Sequence, residues 1–185
     1  QAAMRLLPLL YRRVESAGIR TPSFPILKGI YKRAWFEYSL QNAAGLRACQ
    51  ELLVGIDFLV VKGVALREIA YRGDGAVRPV FDIDVLVHPS QRQLALQRFL
   101  SAGFRLDEAK SVRRYLYLGP SAGLHRGDIR VDLHWGLYPS HPGVDIAREL
   151  LDSAETVTQT QTGISFHTPS VIHHALHAVV HGYGY

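Results

Sequence analysis

The sequence predicts an α+β protein with a helical N-terminal segment, on three observations. Apolar residues recur at helical spacing over roughly the first 50 positions, broken by the Pro-rich stretch RTPSFP at 20–25. Two runs rich in Val, Ile and Leu, IDFLVVKG and FDIDVLV, then read as strands with a short helix between them. A later run, IRVDLHW, alternates apolar and polar residues as a half-buried strand does.

Taken in order, a first helix is expected over residues 4–17, despite Pro8, and stops at Gly18. A long second helix covers 26–53, with Leu27, Ile30, Ala34, Tyr38, Ala48, Leu52 and Leu53 drifting around its axis and Gly55 ending it. The strand 56–63 closes on Lys62-Gly63, and residues 64–72 form a short helix with Leu66, Ile69 and Ala70 inward. GDGAVRP at 73–79 is a loop leading into the strand 81–87. Ser90 is expected to cap a helix through Leu100 that buries Leu94, Leu96, Phe99 and Leu100 before Gly103. Strands follow at 111–118 and 129–135, with a turn signal at 125–128. Two prolines and a glycine at 138–143 end the sheet region. A short helix at 144–151, one or two strands within 156–167, and a helix opened by Thr168-Pro169 complete the chain. This order divides it into a helical segment 1–54, a core 55–140 and the start of a C-terminal part 141–185.

The 185 residues suit one domain with a helical appendage. A formal charge of +5 and a pI near 9.5 favour phosphate-bearing ligands, but the basic residues are scattered and form no nucleic-acid arm. The single cysteine, Cys49, excludes an internal disulfide and reads as a core residue, which fits a reducing, cytoplasmic setting. No apolar stretch approaches the ~20 residues that span a bilayer. The chain starts at Gln1 rather than Met and ends within an expected helix at Tyr185, so both ends are expected to belong to a longer protein.

The chemistry centres on Asp82-Ile83-Asp84. Residues two apart on a strand point the same way, so two carboxylates stand side by side at the rim of a buried sheet. Their repulsion is relieved by a cation, and oxygen ligands favour Mg²⁺ or Mn²⁺. In IRVDLHW, burial of Val131, Leu133 and Trp135 on one face puts Asp132 and His134 on the other, where Asp132 supplies a third carboxylate. Lys62-Gly63 at a strand-to-helix turn suits a phosphate, and Arg78 lies close enough in sequence to Asp82 to serve the same group. His173, His177 and His181 recur every four residues, with His174 alongside. They are open to readings as zinc ligands, as half-buried polar groups, or as accessories to a phosphate site.

In this order, GIDFLVVKGVAL, RPVFDIDVLV and IRVDLHW resemble the uncharacterised nucleotidyltransferase family, within the DNA-polymerase-β-like nucleotidyltransferase superfamily. The resemblance runs from about Tyr31 to the end. It implies a small mixed sheet flanked by helices and transfer of a nucleotidyl group from an NTP to an acceptor hydroxyl. It also implies two Mg²⁺ or Mn²⁺ ions held by Asp82, Asp84 and Asp132, with Lys62, Gly63 and Arg78 at the nucleotide and His134, His177 and His181 as accessories. The acceptor class (small molecule, protein or RNA) stays open, and no membrane is implied. One departure stands out: the wider superfamily has Gly-Ser after the first strand, and here the residues are Lys62-Gly63-Val64. Two other readings compete, a non-catalytic nucleotide-binding module of the same fold and a glycosyltransferase with an Asp-x-Asp motif.

Overall fold

The computed structural model describes residues 2–107, 119–137 and 145–184, with side chains over 6–107, 119–137 and 145–180. The strand expected at 111–118 and the break at 138–143 lie outside the described residues. Helix α1 (Ala2–Ser16) pairs with the long α2 (Phe24–Leu52), which has proline in its first turn. Tyr11 joins them, its ring 5.4 Å from Phe24 and 4.8 Å from Tyr31. Only the second half of α2 is buried, through Ser39, Asn42, Ala43, Gly45, Leu46, Ala48 and Cys49. The expected stripe at Leu27, Ile30, Ala34 and Tyr38 is only half-buried, because that half extends past the sheet. Cys49 is fully buried, and burial pushes its thiol up to about 12.

A mixed five-stranded sheet forms the centre, in the order β1-β2-β5-β4-β3. Its strands are β1 (Phe58–Val61), β2 (Ile83–Val87), β3 (Arg105–Leu106), β4 (Ser121–Arg126) and β5 (Ile129–His134). β2 runs antiparallel to β1 and parallel to β5, and β4 is antiparallel to both of its neighbours. All five β2 residues are buried, so both faces of this strand are covered. On one face Ile83, Val85, Val87, Val131 and Leu133 meet α2 and α4 (Arg92–Ser101) in the main core. On the other, Leu59, Val61 and Leu86 meet Leu150 of α5 (Ile146–Asp152). β6 (Glu155–Thr158) and β7 (Ser165–Thr168) form a hairpin whose Phe166 enters the main core. Helix α6 (Val171–Gly184) follows.

The structure departs from several sequence expectations. Strand β4 was not anticipated: SAGLHR is small and polar, yet its pairing with β5 buries Ala122 and Leu124. The 125–128 signal is its turn, with Gly127 in the left-handed region at φ 59° as a two-residue hairpin loop requires. Helix α3 (Lys62–Tyr71) buries Gly63, Val64, Ala65, Arg67 and Glu68, and Ala70 is exposed. Its charged face turns inward because the two charges pair with each other there. His88 rather than Ser90 caps the single 3₁₀ turn that precedes α4, and Leu94 is 46% exposed. Thr168 ends β7 and bonds His174, while Ser170 supplies the hydroxyl at the start of α6.

His174 gives the C-terminal region a pH signature. It is buried, with Nε2 2.8 Å from Thr168 Oγ1, and burial followed by the charge of His173 holds its imidazole below the usual 6.5. A depressed histidine stabilises the fold fully above its unfolded value and loses that contribution as pH falls below about 6.5. Denaturant unfolding at pH 7.5 and 5.0 is expected to show a smaller pH-dependent loss in His174→Gln than in the wild type. Parallel losses in the two proteins would reject this role for His174.

Candidate active site

Strand register assembles the site. Val61 pairs with Asp84 across β1 and β2, and Asp84 pairs with Asp132 across β2 and β5. Three neighbouring strands therefore bring the end of β1, Asp84 and Asp132 into one row. Alternation puts Asp84, Asp132 and His134 on the α5 face, while Ile83, Val131 and Leu133 enter the main core. Asp84 and His134 are buried, and Asp132 is half-buried. Asp82 lies in the approach to β2 rather than within it, and the residue is exposed.

Lys62, the first residue of α3, aims its side chain at this row. Its Nζ is 2.9 Å from Asp84 Oδ1 and 3.1 Å from His134 Nε2. His134 Nε2 is in turn 3.1 Å from Asp84 Oδ1 and 3.0 Å from Asp132 Oδ2. One ring nitrogen carries at most one proton, so Nε2 cannot accept from Lys62 while donating to a carboxylate. The cluster therefore holds more polar contacts than its protons can serve at once.

The electrostatics follow from this crowding. Desolvation by the surrounding site, then the charges of Asp84 and Asp132, raises the Asp82 carboxyl above the ordinary aspartate range, although the residue keeps access to solvent. Burial pushes Asp132 the same way, but hydrogen bonds from His134 and Ser121 and the charges of His134 and Lys62 outweigh it and leave Asp132 low. Burial opposes charge on His134, and its bonds to Asp132 and Asp84 reverse that and raise its imidazole. Ser121 escaped the sequence reading. Its only signal there was its place at the head of an unrecognised strand, whose register sets it opposite His134.

A divalent cation fits this donor set. Oxygens of Asp84 and Asp132 and a nitrogen of His134 all lie within 4.8 Å of one another, the one such group among the described residues. Two carboxylates suit a hard cation such as Mg²⁺ or Mn²⁺, and the imidazole shifts the set towards Mn²⁺. Asp82 is not part of that group, although its carboxyl feels the charges of Asp84, Asp132 and Lys62.

The other sequence candidates lie around the cluster. Lys62 adopts φ 52°, a left-handed conformation that costs a non-glycine residue about 1–3 kcal/mol. Gly63 is needed for packing: an added Cβ would stand 2.7 Å from Val80 Cγ1. Gly63→Ala is therefore expected to displace Val80, two residues before Asp82, and to cost about 1–3 kcal/mol by overpacking. Chemical denaturation measures this, and an unchanged midpoint would contradict it. The Arg78 guanidinium lies 5.8 Å from the Tyr71 ring centroid, and its Nε is buried with no hydrogen-bond partner among the described residues. His177 is half-buried on α6 and contributes no atom to the acid group; the His181 side chain lies outside the described residues.

A family model described as an uncharacterised nucleotidyltransferase matches residues 2–184. No curated protein matches the chain. Among the described residues, no helix is long and apolar enough to cross a membrane.

Proposed function

The chain belongs to the uncharacterised nucleotidyltransferase family, and from that premise we propose that it moves a nucleotidyl group from an NTP to an acceptor hydroxyl. The carrying observation is the register that aligns Asp84 with Asp132 beside Lys62. Asp82, Asp84 and Asp132 would hold Mg²⁺ or Mn²⁺, with His134 beside them. Such a cation, when bound, neutralises phosphate charge and makes the acceptor hydroxyl easier to deprotonate.

The chain's own residues do the rest. Asp132, held low by His134 and Ser121, is ionised at neutral pH and takes the proton of the acceptor hydroxyl. The acceptor oxygen then attacks the α-phosphorus, and pyrophosphate leaves. Lys62, at the start of α3, binds the phosphates, and Arg78 on the loop before Asp82 adds a second cation. This role assigns Lys62 the place that Gly-Ser fills in the wider superfamily. A glycosyltransferase reading finds no support in a mixed sheet whose β1 and β2 run antiparallel. A cytoplasmic location is proposed with the activity, consistent with a buried, unpaired Cys49.

The test is incubation with each α-labelled NTP, Mg²⁺ or Mn²⁺, and a cell extract. Label is expected in one acceptor fraction, and its identity as protein, RNA or small molecule names the acceptor class. Nucleotide binding without label transfer under any of these conditions would instead favour a non-catalytic module.

A further inference from the structure

We propose that Lys62 is an internal counter-cation for the acid site, which a divalent cation must displace and which the nucleotide's phosphates draw away. This rests on the cation-binding reading of the acids given above. Four observations support it. The Lys62 ammonium lies 2.9 Å from Asp84 Oδ1, an oxygen of the ligand group. Its charge acts on the other two members of that group, Asp132 and His134, and on Asp82 beside them. Its backbone holds a left-handed φ of 52°, so the position is maintained at a conformational cost. Finally, its side chain is 25% exposed, enough to swing out while its backbone stays in α3.

The consequence is competition. A divalent ion and an ammonium repel each other at close range, and they cannot share Asp84 Oδ1. With no nucleotide, Lys62 stabilises the buried acids and lowers their affinity for metal. Phosphates arriving at the start of α3 offer Lys62 a second anion, and the acids are released to the cation as substrate binds. Lys62 thus positions the metal by leaving it room, and it couples cation binding to nucleotide binding. The contested proton at His134 Nε2 fits this view, since departure of Lys62 removes one of its conflicting contacts.

Calorimetric titration of Mn²⁺ into the nucleotide-free chain tests the idea directly and needs no activity. Lys62→Met is expected to bind Mn²⁺ at least about tenfold more tightly than the wild type, because a nearby positive charge is gone. Lys62→Arg, which keeps the charge, is expected to stay close to the wild type. Lys62→Gln is the second neutral variant, should Lys62→Met fail to fold, and is expected to tighten binding likewise. Equal or weaker Mn²⁺ binding in a folded neutral variant overturns the counter-cation role while leaving the acids as a cation site. No Mn²⁺ binding in any of the proteins overturns the cation reading of the acids and this inference with it.

Discussion

Replacement of Asp84 by alanine is expected to lower nucleotidyl transfer about 10³-fold or more while the chain stays folded. Asp84 is the residue on which the site converges, touching Lys62 at 2.9 Å and His134 at 3.1 Å from a single oxygen. A cation that stabilises a phosphoryl transition state contributes several kcal/mol, and each ~1.4 kcal/mol is a factor of ten in rate. The fold tolerates the loss for a separate reason. Asp84 and Asp132 both raise the Asp82 carboxyl, so removing Asp84 relieves repulsion on Asp82 that offsets part of the lost contacts. Lys62 can turn to water, and His134 keeps its bond to Asp132. Asp82→Ala is expected to lose transfer as well, through the cation it is proposed to hold rather than through contacts with Lys62. Label transfer from NTP and thermal unfolding, measured on the same preparations, check both variants. Undiminished transfer in either would remove that residue from the catalytic set.

The acid row was legible because strand alternation is a rigid rule. Val131, Leu133 and Trp135 had to share one face, which left Asp132 and His134 together, and the burial of these residues agrees. The family and the α+β class were also within reach, since Lys-Gly, Asp-x-Asp and Val-Asp-Leu-His-Trp occur in a fixed order. What stayed hidden depends on partners distant in sequence. No local pattern announces that Lys62 folds back over Asp84, 22 residues away, rather than pointing to solvent. SAGLHR carries no strand signal of its own, because its pairing comes from β5. Helix α3 misled for a similar reason. Periodicity assigns charged residues to the outside, and the burial of Arg67 and Glu68 is explained by their mutual pairing completed by groups from α2 and from the β6–β7 loop.

That buried pair yields the largest expected stability effect. Arg67 is fully buried, and its Nε and Nη2 donate to Glu68 Oε1 at 3.1 and 3.0 Å. Its Nη1 donates to Asn42 Oδ1, and Asn42 Nδ2 donates to Val80 O at 3.1 Å. Glu68 Oε2 accepts from the backbone N–H and the hydroxyl of Thr160, at 3.1 and 2.9 Å. One network thus ties α2, α3, the β6–β7 loop and the segment entering β2. Arg67→Met strands Glu68 as a buried carboxylate without its cation, and breaking a buried pair in this way costs about 3–5 kcal/mol. The double variant Arg67→Met/Glu68→Gln is expected to recover most of that loss, because the uncompensated charge is gone and Gln can still accept from Thr160. Equilibrium denaturation of the two single variants and the double gives the coupling directly. A single Arg67→Met cost below about 1 kcal/mol would mean that water or another group satisfies Glu68, contrary to its burial here. Loss of the Arg67–Asn42 bond should also loosen the hold on Val80, two residues before Asp82. Arg67→Met is therefore expected to weaken Mn²⁺ binding at the acids even at temperatures where the chain remains folded.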